Sequence, residues 1–325
     1  MKGQLGGVAP ISIEAIEAAR KRIAGTILRT PLVKLELGRS GPEVYLKLEN
    51  LQPINSFKLR GAANAVAMLP PERRSLGVWT ISAGNAGQGV AYAARQAGVP
   101  CTVVTIETAP ETKVNRMRAL GANLVKASFD ACWEAMERRT FPGVPGTFVH
   151  PFDDDDFIAG NASMGLEIVE DLPAVRTVVA AIGGGGLVTG IASGVRARKP
   201  DVRVLGAEPE TAAPGAVSFA NGRASEFEGW KPTFVDGAGG KSVFPRMWER
   251  MHRVVDGSIV VSLDELKRSM RLLAERARVI AEGAGALGVA AALSGKAGPE
   301  PIVAVVSGGN IELETFFELI GSVRM

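Results

Sequence analysis

Asn55-Ser56-Phe57-Lys58-Leu59-Arg60-Gly61-Ala62 sets a lone lysine where a polar turn runs into an apolar, helix-like pattern. Cations are favoured at helix C-termini and disfavoured at N-termini, so a lysine at a helix mouth is oddly placed for a structural residue. That position lowers the ammonium pKa and makes a neutral amine easier to obtain, as a covalently acting lysine needs. Taken alone, the octet fits a solvated lysine at a helix start equally well.

The chain around the octet alternates strand and helix. Val44-Tyr45-Leu46-Lys47-Leu48-Glu49 alternates like a strand and feeds the octet, and a helix over 59–68 stops at Pro70-Pro71. Before them, 12–24 reads as an amphipathic helix ended by the extended turn Thr30-Pro31-Leu32. Beyond them, strands are expected at 78–81, 101–106, 123–126 and 147–149, with helices at 89–98, 111–120 and 129–139. A second series has strands at 175–182 and 202–207, a helix after Gly186, and a helix over 157–170 before it. Residues 215–248 resist assignment beyond loops and one short helix. A strand at 258–261 follows, and then Ser262 and Glu265 form a capping box for a helix running to about 278. Helices at 284–293 and 311–320 flank 302–306, a fully apolar strand expected to be central and parallel.

Three small-residue turns follow strands. Ile182-Gly183-Gly184-Gly185-Gly186-Leu187 lets backbone N–H groups and a helix dipole converge on a phosphate. It lacks the Gly-Lys-Ser/Thr of a Walker loop and the acidic ribose ligand of a dinucleotide fingerprint; a flexible turn is its bland alternative. Ser82-Ala83-Gly84-Asn85-Ala86-Gly87-Gln88-Gly89 makes a cradle for a carboxylate, or an ordinary helix start capped by Asn85. Ser307-Gly308-Gly309-Asn310 is the third. Such turns at strand C-terminal ends are the makings of a ligand crevice in an open α/β sheet.

The bulk numbers bound the function. A chain of 325 residues is too long for one small core and suits two intimate subdomains or one large α/β unit. Lys+Arg 37 against Asp+Glu 34 leaves a net charge of +3, scattered along the chain, which gives nucleic-acid or membrane-surface binding no electrostatic support. Cys101 and Cys132 are too few for a disulfide framework or a zinc cluster, and as buried thiols they fit a reducing compartment. Residues 1–10 carry no apolar run of signal-peptide length, and no stretch is long enough to span a membrane, so a soluble cytoplasmic protein is expected. The acidic turn Asp153-Asp154-Asp155-Asp156 reads as a solvated helix N-terminus rather than a metal site. His150 and His252 read as structural.

The ordered set of these motifs resembles the fold-type II pyridoxal-phosphate enzymes, specifically the serine/threonine dehydratase and serine racemase branch. The resemblance covers nearly the whole chain, from Thr30-Pro31-Leu32 through the lysine octet, residues 82–88, His150-Pro151-Phe152-Asp153, the tetraglycine and Glu208-Pro209 to Ser307-Gly308-Gly309-Asn310. It implies an α/β fold with two open, twisted, mostly parallel sheets flanked by helices. The larger, cofactor-binding domain would comprise 1–50 and 154–325, and the smaller 51–153. It implies pyridoxal 5′-phosphate as cofactor, held covalently by Lys58, with Phe57 beside the ring and Asn85 on the ring hydroxyl. Gly183, Gly184, Gly185 and Gly186 with Leu187 would hold the phosphate, and Ser307 the pyridine nitrogen. Ser82, Ala83, Gly84, Asn85 and Gln88 would hold the substrate carboxylate, and the protein would be a homodimer.

The implied activity is α,β-elimination from a β-hydroxy-α-amino acid of the threonine/serine type, giving a 2-oxo acid and ammonia. A neutral Ser307 cannot hold a proton on the pyridine nitrogen as a carboxylate can, which favours prompt loss of the β-hydroxyl. Ala83 stands where racemases of this branch carry a second serine, which speaks against racemisation. Ala86 replaces the histidine of many dehydratases and leaves room for a larger β-substituent, so phenylserine or hydroxyaspartate is an alternative substrate. A cysteine-synthase-type β-replacement is another. Glu208 matches a cation ligand of several relatives, but Pro214 falls about where their aspartate should be, and no metal is expected. The segment Asp236-Gly237-Ala238-Gly239-Gly240-Lys241 is a candidate site wall.

Overall fold

The computed structural model describes residue 8, residues 10–38 and residues 41–323. Apart from residues 8 and 10, the reading of 1–10 lies outside the described residues.

Among the described residues ten strands run in chain order: β1 (Leu32–Lys34), β2 (Val44–Leu48), β3 (Val78–Ile81), β4 (Cys101–Ile106), β5 (Asn123–Ala127), β6 (Thr147–Phe148), β7 (Thr177–Ala181), β8 (Arg203–Pro209), β9 (Ser258–Val261) and β10 (Ile302–Val306). They form a six-stranded sheet, order β1-β2-β10-β7-β8-β9, and a four-stranded sheet, order β5-β4-β3-β6. Among the described residues, β1 with β2 is the one antiparallel pair. The helices are α1 (Ile13–Ile23), α2 (Lys58–Ala67), α3 (Asn85–Ala97), α4 (Glu111–Ala119), α5 (Phe129–Arg138), α6 (Asp155–Asp171), α7 (Gly186–Arg196), α8 (Pro214–Asn221), α9 (Pro245–Val254), α10 (Leu263–Leu272), α11 (Gly283–Leu293) and α12 (Leu313–Gly321).

The larger sheet is covered on both faces, which explains its continuous apolar runs. Ile302, Ala304 and Val306 of β10 pack into one cluster with Leu287 of α11 and Met270 of α10. Val303 and Val305, pointing the other way, join Ile158 of α6 and Ile191 of α7. The fully apolar strand is thus central, hydrogen-bonded in parallel to β2 and β7.

Some local expectations change. β2 does not alternate in burial: Lys47 is fully buried, donating to Thr30 O and Glu167 Oε2 at 2.7 Å each. α3 begins at Asn85, four residues earlier than its glycines led the sequence reading to place it, because the glycines serve close packing. A Cβ on Gly89 would sit 3.2 Å from Lys58 O, and one on Gly87 2.4 Å from Met117 Sδ. Residues 215–248 lie in or between two helices, α8 and α9, with a short 3₁₀ turn Asp236–Ala238. The Ser262–Glu265 capping box is present, and that helix closes through a π turn, Leu273–Ala277, to Arg278.

Candidate active site

The three glycine- and serine-rich turns leave the C-terminal ends of β3, β7 and β10, and the Lys58 octet lies a few residues beyond the end of β2. They converge on one cavity of about 600 Å³, lined by every residue given a site role from the sequence. Small residues permit the convergence. Ser56 pairs with Gly308 in an isolated bridge, and Phe57 N donates to Ser307 O at 3.0 Å, tying the lysine turn to the end of β10.

Lys58 is the first residue of α2. Its Nζ donates to Pro151 O at 2.7 Å and lies 5.2 Å from the Phe57 ring centroid and 5.5 Å from that of Phe157. One carbonyl and two aromatic faces replace water poorly, and burial pulls the amine from 10.5 down to about 8. The expected lowering is present, and its cause is burial.

At the tetraglycine turn, Gly185 has φ +86 and α7 starts at Gly186. A Cβ on Gly184 would lie 2.3 Å from the Phe152 ring, and one on Gly183 2.4 Å from Gly237 O. The turn is therefore wedged between Phe152 and the 236–241 segment, with the N-terminus of α7 open to an anion. Across the cavity, Ser82 Oγ accepts from Gly84 N at 3.0 Å. Gln88 is buried, and its Nε2 finds no partner among the described residues. Asn85 does not cap α3; Gly84 holds that position, and the amide of Asn85 turns toward Glu282.

Glu282 carries no role in the sequence reading, which starts its helix at Ala284. It stands before α11, donates its N–H to Gly308 O at 3.1 Å, and lines the cavity. Asn85 Nδ2 donates to its Oε1 at 2.7 Å, while Asn310 Nδ2 donates to Asn85 Oδ1 at 2.8 Å. Burial outweighs the Asn85 hydrogen bond and raises the carboxyl from 4.5 to about 7. An acidic residue set directly before a Gly-Ala-Gly-Ala helix start was the available signal.

The family model described as pyridoxal-phosphate dependent enzyme matches residues 23–308. The chain belongs to the pyridoxal-phosphate-dependent enzymes. It is 40% identical over 319 residues to the L-threonine ammonia-lyase of Thermotoga maritima, covering 95% of this chain and 78% of that protein. Maize serine racemase superposes with a TM-score of 0.88 at 31% identity, over 95% of this chain and 97% of that one. The threonine deaminase of T.th. gives 0.85 at 36% identity, over 93% and 99%. The two-sheet fold and the cofactor class expected from the sequence are those of this family.

The residues present fit the cofactor. A pyridoxal-phosphate-dependent enzyme needs a reactive amine and a phosphate cradle on one cavity, and Lys58 and the tetraglycine turn both line this one. The unpartnered Gln88 amide leaves a donor for a ligand. Ser307, 4% exposed, brings a neutral hydroxyl held, among the described residues, only by a 3.3 Å bond to Ala284 O.

Elsewhere the enzyme corrects one expectation. Asp153 is not a solvated helix-start residue: it is 3% exposed and paired with Arg139 at 2.9 Å, Arg246 at 3.0 Å and Arg250 at 3.3 Å. Asp154 caps α6, accepting from Phe157 N at 2.9 Å. His150 is buried, its Nδ1 accepts from Asp153 N at 2.9 Å, and burial takes it down to about 3, so it stays a neutral acceptor. His252 sits outside the cavity, stacked on Trp248. Glu208 spends its carboxylate on Gly215 N and Ala216 N, at 2.7 Å each, and on the Ser258 hydroxyl at 2.6 Å.

Proposed function

We infer that the enzyme eliminates water from a β-hydroxy-α-amino acid of the threonine/serine type and releases a 2-oxo acid and ammonia. The observation that carries this reading is the cavity uniting an amine held near pH 8 with the tetraglycine turn and the Ser82–Gln88 turn. The name of the Thermotoga maritima relative, L-threonine ammonia-lyase, supports it.

In this reading Lys58 holds the cofactor, and Gly183, Gly184, Gly185, Gly186 and Leu187 bind its phosphate at the start of α7. Phe57 would flank the ring, Asn85 would meet its hydroxyl and Ser307 its nitrogen. When bound, pyridoxal phosphate accepts the electron pair left at Cα. Once the substrate's own amino group has taken its place on the cofactor, the freed Lys58 amine would take the α-proton, a task for which a pKa near the working pH is suited. Ser82 and the amides of Ala83, Gly84, Asn85 and Gln88 grip the substrate carboxylate at the α3 N-terminus. The β-hydroxyl would take up a proton and leave as water, Lys58 would return to the cofactor and free the product as an enamine, and the enamine would add one water to give the 2-oxo acid and ammonia. Ser307, a hydroxyl rather than a carboxylate, favours this prompt loss.

On the same basis the chain divides into a large unit, 1–50 with 154–325, and a small one, 51–153; the smaller sheet, drawn wholly from 78–148, supports that. The enzyme is taken as a cytoplasmic homodimer. Two buried free thiols support the reducing compartment, and among the described residues no helix is long and apolar enough to cross a membrane. Incubation of holoenzyme with L-threonine and L-serine, scored for 2-oxo acid and ammonia, tests the chemistry. Both products are expected, and Lys58→Ala should abolish them. No product from either substrate, or a new amino acid formed with an added thiol in place of the 2-oxo acid, refutes the reading.

A further inference from the structure

Beside the main cavity lies a second chamber of about 210 Å³. It shares Lys58, Phe152, Gly183 and Gly184 with the main cavity, so it opens on the lysine and the tetraglycine turn. None of the carboxylate-binding residues 82–88 lines it. The carboxylate-binding turn 82–88 thus lies on one side of Lys58 and this chamber on another, where a β-substituent of a substrate held on both could extend.

The chamber walls are aromatic and aliphatic. Trp133 of α5 meets Phe244 edge-to-face at 5.1 Å between centroids, and Phe244 meets Phe152 the same way at 5.3 Å. Val243 and Met251 complete the apolar lining. The indole N–H of Trp133 donates to Glu137 at 3.1 Å, so the ring presents carbon. Among the described lining residues, Lys58 is the one cation, and the Asp236 carboxylate is paired with Lys113 at 2.5 Å. With Lys58 engaged by the cofactor, a carboxylate side chain such as that of hydroxyaspartate would find no cation here, whereas a ring would extend an existing edge-to-face series.

We propose, resting on the lyase reading above, that this chamber receives an aryl β-substituent, making β-aryl-β-hydroxy-α-amino acids the substrate class. Phenylserine is the simplest member. Its Cα–H and Cβ–O bonds break, the hydroxyl departs with a proton as water, and one water re-enters when the enamine hydrolyses. The yield is phenylpyruvate and ammonia, with no oxidant or co-reactant. This room lies where Trp133, Phe152 and Phe244 meet, and Ala86 lines the main cavity beside it.

Steady-state ammonia release by the holoenzyme from phenylserine and from threonine tests this. The kcat/KM ratio of phenylserine to threonine is expected to exceed about 10, as burial of a ring against aromatic walls implies. Trp133→Ala should lower that ratio at least tenfold, chiefly through the KM for phenylserine, and Trp133→Phe should restore most of it. Competition by 3-phenylpropanoate should exceed that by propanoate in the wild type and not in Trp133→Ala. Should Trp133→Ala fold poorly, Phe244→Leu carries the same expectation. Turnover of threonine with a ratio below 1, or a ratio that neither variant moves, overturns the aryl assignment and leaves the lyase reading standing. Absence of ammonia from both substrates overturns the lyase reading itself, and the aryl assignment with it.

Discussion

Replacing Glu282 by glutamine should change how stability depends on pH. Burial raises this carboxyl from 4.5 to about 7. Between those values the folded chain keeps a proton that the unfolded chain has released, so stability falls as pH rises, and the full loss is present above pH 7. A shift of about 2.5 units corresponds to about 3 kcal/mol. Glu282 borders an open cavity, and screening by cavity water reduces this to about 1–3 kcal/mol. Glutamine keeps an oxygen for Asn85 Nδ2 and titrates nothing. Near pH 4.5 the two proteins should therefore be alike, and by pH 8 Glu282→Gln should be the more stable by that amount, or about 2–6 °C in Tm. Of the charged neighbours, Lys113 and Arg116 favour the ionised form and Asp236 opposes it. His150, neutral down to about pH 3, gives stability that rises from pH 3 to 6.5. Lys58, lowered to about 8, gives stability that rises from pH 8 to 10.5. Both act equally in the two proteins and cancel in the difference. Thermal unfolding of the pair from pH 4.5 to 8.5 at fixed ionic strength provides the measurement. Parallel profiles across that range would show that the carboxylate ionises without penalty and would refute the reasoning.

Two further outcomes follow from packing. Arg60 is fully buried; its Nε donates to Glu49 at 2.8 Å and its Nη1 to Glu167 at 2.7 Å, and these carboxylates outweigh its burial to hold its pKa above the usual. Arg60→Met should cost about 3–5 kcal/mol in denaturant unfolding by leaving two buried carboxylates short of a partner, and a loss under 1 kcal/mol would contradict this. Gly184→Ala puts a carbon 2.3 Å from the Phe152 ring, so the turn must shift. Titration of apoenzyme with pyridoxal phosphate should show affinity at least about tenfold weaker, with far-UV circular dichroism unchanged; unchanged affinity would remove the turn from the cofactor site.

Much of this arrangement was legible in the sequence because it rests on local signals. The central strand β10 is a five-residue apolar run, and the turns after β3, β7 and β10 announce themselves by residues that few other places tolerate. What escaped depends on partners far along the chain. Glu282 owes its raised pKa to burial, which prevails over a hydrogen bond from Asn85, 197 positions away. Arg60 looks like an exposed helical cation until Glu49 and Glu167 close around it. Asp153 belongs to an acidic run in which Asp154 caps and Asp155 is exposed, and its burial beside Arg139, Arg246 and Arg250 sets it apart. β1 is three residues long, too short for any period. The chamber of Trp133, Phe152 and Phe244 draws on segments roughly 20 and 90 residues apart, none with an unusual local pattern.

One physical cause runs through the cavity. Lys58 and Glu282 are an ordinary base and an ordinary acid, and the same withdrawal of water moves them in opposite directions, to about 8 and about 7. Each is pushed toward its neutral form, so both protonation states of each are accessible near pH 7.5 without any ion pair between them. An amine locked to a carboxylate would stay charged and could not take a proton from carbon. Here the Lys58 ammonium is instead given a carbonyl, Pro151 O, and two aromatic faces, which hold it in place yet compensate its charge only weakly. The aromatic and glycine-rich surroundings that bring the turns together are thus also what lowers the amine's pKa.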